Sequence, residues 1–285
     1  MKKIKVRTPA KINLTLEILN KRTDGYHELQ TIMQAVSLYD FITIEQDTSN
    51  STIIELSGNS KDIPYDETNL VYKAAKRFLE TAEIENVHLK INIEKHIPVS
   101  AGLAGGSTNA AGTFFALNKL FNEPLSDNEL DELCASLGSD LNFCLHGGCA
   151  LCTGRGEKIE KLPYFKQKVS LIKPKNIGIS TKEAYSSYAS MPDKSNPDNT
   201  SKLKELLLQG KFDKALLYNS FEKALFGTHK ELQNIKSGIK NSLMSGSGST
   251  FFVLEPEIKA NFNKTDYDIF ENLTTICTGV EIVNE

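Results

Sequence analysis

The sequence of 285 residues has no tryptophan, only nine prolines and only five cysteines. It lacks any run of about 18 uncharged apolar residues, so no transmembrane helix is expected. Its basic start, residues 1–14, lacks the apolar stretch of a signal peptide. An odd number of cysteines without such a signal fits free thiols better than a disulfide framework, and we therefore expect a cytoplasmic protein.

An excess of charge of one sign is also missing, since 33 basic and 36 acidic side chains give a net charge of −3. A protein that binds nucleic acid or anionic membranes usually carries a basic field, so neither partner is expected. Hydrophobic residues make up 40 % and charged residues 24 %, which is ordinary for a globular protein. This length predicts one large or two modest domains.

Alternating polar and apolar side chains over residues 11–18 predict a half-buried β-strand. Its polar positions place Lys11 and Asn13 side by side on the side that is expected to face solvent. Three further strands are predicted at residues 41–45, 52–56 and 87–93. These strands indicate an antiparallel sheet with one covered face.

Apolar residues at helical spacing predict helices over residues 69–81, 107–121 and 125–137. Strands and helices that do not strictly alternate favour an α+β fold. A soft boundary near residue 165 divides the chain into predicted domains 1–165 and 166–285. In the second domain the predicted elements are strands at 169–172, 250–254 and 275–282, helices at 203–217 and 221–235, and a polar loop at 191–201.

A glycine-rich segment, residues 98–111, follows a predicted strand and runs into a predicted helix. Its glycines allow tight turns and close approach of a ligand, and the helix start offers unpaired N–H groups. Such a segment is suited to binding phosphate, although a glycine-rich loop without a ligand remains an alternative. It is neither a Walker A loop nor a dinucleotide fingerprint, so a nucleotide site here belongs to another class.

The spacing of Cys144, Cys149 and Cys152 resembles part of an iron–sulfur ligand set, and Cys134 and His146 would suit zinc. These cysteines alternate with apolar residues, however, so we interpret them as small apolar residues of a strand. No metal ligand is assigned from the sequence.

Four segments, in this order, resemble motifs of the GHMP kinase superfamily. They are Pro9-Ala-Lys-Ile-Asn-Leu, Asp24-Gly-Tyr-His-Glu-Leu-Gln-Thr, Pro98-Val-Ser-Ala-Gly-Leu-Ala-Gly-Gly-Ser and Met244-Ser-Gly-Ser-Gly-Ser. The second is similar to a stretch special to the 4-diphosphocytidyl-2-C-methyl-D-erythritol kinase family. The resemblance covers nearly the whole chain and implies a two-domain α+β fold with the active site in the interdomain cleft.

The implied activity is ATP-dependent phosphorylation of the C2 hydroxyl of 4-diphosphocytidyl-2-C-methyl-D-erythritol. This reaction belongs to the non-mevalonate route to isoprenoid precursors, and Mg²⁺ is expected to accompany ATP. Two alternatives remain, another small-molecule kinase of the homoserine or mevalonate type and a nucleotide-binding sensor without turnover. A monomer or homodimer is expected, with a small-molecule substrate as its partner.

The resemblance implies that Lys11 and Asp140 are catalytic, with the lysine keeping the aspartate ionised. Taken singly, Asp140 reads as a loop or capping carboxylate and Lys11 as a solvated strand lysine. ATP-binding residues are implied at Asn69, Lys95, Pro98, Gly102, Leu103, Ala104, Gly105, Gly106, Ser107 and Thr108. Alternatively, Asn69 is only an N-cap and Lys95 is solvated.

Substrate contacts are implied at Asn13, Tyr26, His27, Tyr185, Gly246 and Gly248. Within this set, Tyr26, His27 and Tyr185 are expected around the cytosine ring, and the two glycines in a loop that closes over the diphosphate. Taken singly, Tyr185 reads as a partly buried helix tyrosine.

The sequence departs from the family pattern at four places. Leu141-Asn142 stands where Val-Pro is usual, and Ser249 replaces a frequent proline. Ala104 replaces a glycine, and a small residue fits there if its φ is negative. Residues 255–272 are shorter and more polar than the long final helix that the resemblance implies.

Overall fold

A computed structural model describes residues 2–23, 25–192, 194 and 196–283. The strands are β1 Lys2–Lys21, β2 His27–Thr48, β3 Ile53–Gly58, β4 Val87–Glu94, β5 Cys149–Gly154, β6 Lys158–Leu162, β7 Lys168–Pro174, β8 Tyr218–Asn219, β9 Leu243–Met244, β10 Phe251–Val253, β11 Tyr267–Thr274 and β12 Glu281–Ile282. The helices are α1 Leu70–Thr81, α2 Gly105–Leu120, α3 Asp127–Leu137, α4 Leu141–His146, α5 Thr181–Ala189, α6 Asn199–Leu208, α7 Ser220–Phe226 and α8 Lys230–Gly238. The predicted α+β class is confirmed.

The first sheet has eight strands, with the order β12-β1-β2-β4-β3 and with β5, β6 and β8 joined at its side. The long β2 pairs with β5 through its first half and with β4 through its second half. The prediction of an antiparallel sheet is correct except for two parallel pairs, β3 with β4 and β8 with β1. Helices α1, α2 and α3 share one apolar core with β4.

The prediction that one face of β1 is open to solvent is wrong. Ile12 and Leu14 point into an apolar core, as their spacing predicts. Lys11 and Asn13, on the other face, are also buried, with 3 % and 1 % exposure. The reason is that loop 245–248 from the far end of the chain packs over this face, which the pattern of β1 alone cannot reveal.

The second sheet has four strands in the order β11-β7-β10-β9. Helices α5, α7 and α8 pack with it in a separate apolar cluster. The short strands β8 and β12 return to the first sheet, so the second half of the chain contributes to both sheets. The boundary at residue 165 stays a prediction.

Two predicted helices of the second half are wrong in their extent. The helix expected over 203–217 ends at Leu208, because Gly210 adopts a left-handed φ of +70° that stops it. The helix expected over 221–235 is divided into α7 and α8 after Gly227, a residue of low helix propensity.

The end of the chain also differs from expectation. The predicted strand 275–282 is only β12, preceded by an isolated bridge at Thr275. Strand β11 lies within and just beyond the region 255–272, where the resemblance implies a long helix. The predicted loop 191–201 already contains the start of α6, and its residues 193 and 195 lie outside the described residues.

All five cysteines are free thiols, and four of them are buried. Burial raises the pKa of Cys134 and Cys149 to about 12, so both thiols are protonated at neutral pH, as expected of small apolar residues. Cys149 and Cys152 lie in β5 as predicted, whereas Cys144 lies in α4 rather than in a strand. In the described part of the chain, no helix is long and apolar enough to cross a membrane.

Candidate active site

A cleft of about 900 Å³ is lined by residues from both halves of the chain. Its volume is at the upper end of small-molecule sites. Fifteen of the predicted site residues line it: Lys11, Asn13, Tyr26, His27, Asn69, Lys95, Pro98, Gly102, Ala104, Gly105, Gly106, Ser107, Asp140, Tyr185 and Gly246.

The other three predicted residues lie behind this wall. Leu103 and Thr108 are buried, with 1 % and 0 % exposure. Gly248 packs against Met244 and Ile179, since a Cβ there would lie 2.9 Å from the sulfur of Met244. The side chains of Leu103 and Thr108 therefore support the loop from behind.

Lys11 lies at the centre of the cleft. Its ammonium donates to Asn13 Oδ1 at 2.7 Å and to the carbonyl oxygen of Gly102 at 2.8 Å. The same Nζ is 4.0 Å from Asp140 Oδ2, and the lysine side chain is only 4 % exposed. The interpretation of Lys11 as a solvated strand lysine is therefore wrong.

Asp140 lies between two helices, directly before α4 and shortly after α3, which ends at Leu137. It occupies the N-cap position of α4, but within the described structure its side chain makes no capping hydrogen bond. The carboxylate is 31 % exposed and lines the cleft. It is therefore open to a ligand, with the positive charge of Lys11 beside it.

The glycine-rich loop, residues 98–104, connects β4 to α2. At Gly102 the backbone has φ +74°, and a Cβ would lie 2.0 Å from the carbonyl oxygen of Ser245, so only glycine fits. At Ala104 φ is +59°, so alanine occupies the left-handed region and the condition of a negative φ is not met. The first N–H groups of α2, from Gly105 onward, have no intrahelical partner and lie at the positive end of the helix dipole.

The C-terminal glycine loop, residues 245–248, packs directly on the glycine-rich loop, residues 98–104, which is the predicted phosphate loop. Ser245 Oγ donates to the carbonyl oxygen of Gly102 at 3.0 Å. A Cβ at Gly246 would lie 3.0 Å from Lys11 Nζ. Asn219 holds this loop, because its Nδ2 donates to the carbonyl oxygens of Met244 at 2.6 Å and Gly246 at 2.9 Å.

Aromatic side chains form the opposite end of the cleft. The rings of His27 and Tyr185 stack with centroids 4.8 Å apart and an interplanar angle of 13°. Phe221 supports Tyr185 edge-on, with centroids 5.0 Å apart. Burial, followed by the charge of Asp140, raises the pKa of Tyr185 to about 12. The result is a flat apolar platform with neutral rings.

Tyr26 is more exposed, at 53 %, and its ring lies 4.9 Å from the guanidinium carbon of Arg155. Partial burial, followed by the charges of Lys21 and Lys194, lowers the pKa of His27. The imidazole is therefore neutral at pH 7. Asp24, part of the predicted turn before these residues, lies outside the described residues.

Lys95 and Asn69, two of the predicted nucleotide-binding residues, both line the cleft. Lys95 forms an ion pair with Asp40, and their side chains are 6 % and 0 % exposed. The alternative of a solvated Lys95 is therefore wrong. Asn69 caps α1, accepting the N–H of Val71 at 2.9 Å, and also lines the cleft.

Sequence reasoning missed several lining residues, among them Arg155, Thr181, Lys182 and Phe221. An arginine between Gly154 and Gly156 is a signal that could have pointed to a turn carrying a guanidinium. The other three belong to no motif and are brought in only by the packing of α5 and α7.

The oxygen donors of the cleft fit magnesium. The Asp140 carboxylate and the Ser107 hydroxyl are hard ligands that line the cleft. Among the residues that the structure describes, no group of three His, Cys, Asp or Glu side chains is arranged to hold a metal. Mg²⁺ commonly binds through one or two protein oxygens together with phosphate oxygens, so a bound nucleotide would complete its ligands.

Comparison with known proteins agrees with this site. Residues 69–148 match the model of the GHMP kinases N terminal domain. The chain is 42 % identical over 257 residues to a 4-diphosphocytidyl-2-C-methyl-D-erythritol kinase of Clostridium beijerinckii, covering 88 % of this chain and 90 % of that relative.

Two solved structures separate fold from family. A crystal structure of 4-(cytidine 5'-diphospho)-2C-methyl-D-erythritol kinase matches with a TM-score of 0.73 at 32 % identity, covering 88 % of this chain and 90 % of that chain. Homoserine kinase from Cytophaga hutchinsonii matches with a TM-score of 0.76 at only 19 % identity, covering 99 % and 98 %. The second match shows the fold alone and confirms the predicted two-domain architecture. The sequence identity to the two 4-diphosphocytidyl-2-C-methyl-D-erythritol kinases shows the family within that fold. The chain belongs to the 4-diphosphocytidyl-2-C-methyl-D-erythritol kinase family of the GHMP kinases.

Proposed function

We propose that this enzyme transfers the γ-phosphoryl group of ATP to the C2 hydroxyl of 4-diphosphocytidyl-2-C-methyl-D-erythritol, in the non-mevalonate route to isoprenoid precursors. The observation that carries the proposal is the open pair of Lys11 and Asp140, 4.0 Å apart. This pair lies in one cleft with a phosphate-binding loop and an aromatic platform. The names of the relatives support the same substrate.

Phosphoryl transfer depends mostly on positioning and on electrostatic stabilisation. The unpaired amides at the start of α2 receive the phosphates of ATP, and the Lys11 ammonium balances negative charge that develops on the transferred group. The acceptor oxygen forms a bond to the γ-phosphorus as the bond to the β-phosphate oxygen breaks. The hydroxyl proton passes to the Asp140 carboxylate, and the products are ADP and the phosphate ester.

Magnesium bound to the nucleotide would be held by the Asp140 carboxylate and the Ser107 hydroxyl, and it would neutralise phosphate charge. The proposed setting is the cytoplasm, which agrees with five free thiols. We assign a monomer or a homodimer as the working form.

The aromatic end of the cleft distinguishes the substrate from those of other GHMP kinases. The stacked rings of His27 and Tyr185 offer a flat apolar face of the kind that binds a pyrimidine. Homoserine and mevalonate have no ring to use such a face. This is the specific observation against the homoserine or mevalonate alternative.

The experiment measures ADP release by the purified protein with ATP, Mg²⁺ and one acceptor at a time. We expect turnover with the cytidine substrate and a kcat/KM at least about 10²-fold lower with homoserine or mevalonate, because those acceptors lack the stacking and diphosphate contacts. Phosphorus NMR of the product assigns the phosphorylated hydroxyl. ATP binding without turnover on any acceptor would contradict the proposal and favour a nucleotide sensor.

A further inference from the structure

Asp40, on β2, is a buried carboxylate that belongs to none of the four motifs. Its side chain has 0 % exposure, and it lies behind the cleft wall. A buried charge is costly unless it is paired and fully hydrogen-bonded. The segments that donate to Asp40 therefore show what this residue holds in place.

One oxygen of Asp40 holds the chain before the phosphate loop. Oδ1 accepts the backbone N–H of His96 at 2.7 Å and the backbone N–H of Ile97 at 2.8 Å. The other oxygen, Oδ2, accepts Nδ2 of Asn109 at 2.9 Å, and Asn109 lies in α2 beyond the loop. A single carboxylate therefore connects both ends of the segment that binds phosphate.

Lys95 completes this network. Its ammonium donates to Asp40 Oδ2 and to Asn109 Oδ1, the latter at 3.1 Å. A Cβ at Gly105 would lie 2.9 Å from Lys95 Nζ, so the ammonium packs against the first residue of α2. Asn109 Nδ2 also donates to Thr8 Oγ1 at 3.1 Å, which fixes the amide orientation.

We propose that Asp40 is a positioning residue for nucleotide binding, acting through the backbone before the phosphate loop, through Asn109 behind it and through Lys95 beside the start of α2. The inference rests on the proposed function, since the nucleotide is the ligand of this loop. A preorganised loop binds phosphate without a cost of ordering at the moment of binding.

A different role for Asp40 would change the affinity for ATP in the opposite direction when the residue is replaced. If Asp40 only neutralised Lys95, its removal would leave a positive charge near the phosphates and ATP would bind more tightly. If Asp40 positions the loop, replacing it by asparagine places an amide donor at residue 40 opposite the amide donor of Asn109. The loop is then displaced, and ATP binds more weakly. The direction of the change therefore separates the two roles.

The first test is Asp40→Asn, an isosteric change that keeps an acceptor for the N–H groups of His96 and Ile97. Calorimetry with the Mg²⁺ complex of ATP, without an acceptor, measures the Kd directly. We expect a Kd at least about tenfold higher than in the unchanged enzyme, equivalent to ~1.4 kcal/mol. An unchanged or lower Kd would overturn the proposal.

The second test exchanges the two side chains, Asp40→Asn with Asn109→Asp. In this double variant the amide at position 40 donates to the carboxylate at 109, and the carboxylate still faces Lys95. We expect a Kd for ATP within about threefold of the unchanged enzyme, since no more than ~0.7 kcal/mol separates them. A double variant that folds but binds ATP more than tenfold more weakly would overturn the proposal, even if Asp40→Asn alone does not fold.

A matched control is Glu17→Gln. Glu17 is also fully buried, and it accepts Gln30 Nε2 at 2.7 Å and the N–H of Asn199 at 2.8 Å, away from the phosphate loop. We expect a lower melting temperature and an unchanged Kd for ATP. An equal loss of affinity in this control would show that general destabilisation is the cause. Failure of the unchanged enzyme to bind ATP would instead contradict the proposed function.

Discussion

Two lysine–aspartate pairs lie on either side of the phosphate loop, and they differ in exposure and hydrogen bonding. Lys95 and Asp40 are in direct contact, with side chains 6 % and 0 % exposed, and Asp40 accepts four donors. Lys11 and Asp140 are 4.0 Å apart, and the carboxylate is 31 % exposed. A satisfied carboxylate fixes structure, whereas one with free lone pairs can accept a proton from a ligand.

The largest effect is expected from Asp140→Asn. The change removes the proton acceptor while keeping the shape, so kcat should fall by about 10²- to 10⁴-fold. The melting temperature should fall slightly, since the Lys11 ammonium loses a counter-charge 4.0 Å away but keeps its hydrogen bonds to Asn13 and Gly102. Steady-state kinetics and thermal unfolding measure both quantities. Near-normal turnover would remove Asp140 from the mechanism.

Replacing each lysine by methionine separates the two pairs further. Lys11→Met should lower kcat by about 10²-fold, because a preorganised charge is lost from the reacting centre. Lys95→Met leaves Asp40 buried without its counter-charge, which should lower the free energy of unfolding by about 3 kcal/mol or more. Urea unfolding without nucleotide provides the second measurement. Equal losses of stability in both variants would contradict the distinction.

A smaller effect, on the pH dependence of stability, is expected from His27. This residue stacks on Tyr185 and belongs to neither lysine–aspartate pair. Because its pKa is lowered in the folded state, the unfolded chain binds the proton first as the pH falls below about 6.5. The contribution of the neutral His27 ring to the free energy of unfolding is complete above that pH, and it is lost as the pH falls toward the lowered pKa. Urea midpoints between pH 7.5 and about 5.5 should decline less in His27→Phe than in the unchanged enzyme.

The smallest effect on stability is expected at Ala104, which lies between Lys95 and Asp140 in sequence and in the left-handed region at φ +59°. Glycine there relieves about 1–2 kcal/mol of backbone cost. It also adds about 0.4–1 kcal/mol of unfolded-state entropy. Ala104→Gly should therefore raise the free energy of unfolding by about 0.5–1 kcal/mol.

A suitable control for that variant is Ala101→Gly, because the φ of Ala101 lies outside the left-handed region. The control should lose stability, since it gains entropy in the unfolded chain without relief of strain. A loss of stability in Ala104→Gly as well would contradict the assignment of backbone strain.

Much of the first half of the fold could be predicted from local patterns. The helix predicted over 125–137 is α3, which begins after a capping box of Ser126 and Glu129, and β4 buries its alternate residues. The second half was predicted less well. Strand β11 pairs with β7, from a distant part of the chain, and its own residues carry no clear alternation.

The candidate site shows the same division. Lys11 lies in the first motif and Asp140 is implied by the family resemblance, and the structure places their charged groups 4.0 Å apart. The contacts of Asp40 were not predicted, because a lone aspartate in a strand carries no local signal of what will surround it. Arg155 was missed although its flanking glycines indicate a turn, because they do not show that this turn reaches the cleft.

The sequence by itself determined the family, the glycine-rich loop and most regular elements, since alternation, capping residues and glycines act on neighbouring residues. Only the tertiary structure decided that the polar face of β1 is buried, that His27 stacks on Tyr185, and that Asp40 connects both ends of the phosphate loop. These features depend on which distant segments cover a side chain, and the free energy of burying a charge is set by those partners rather than by its neighbours in the chain.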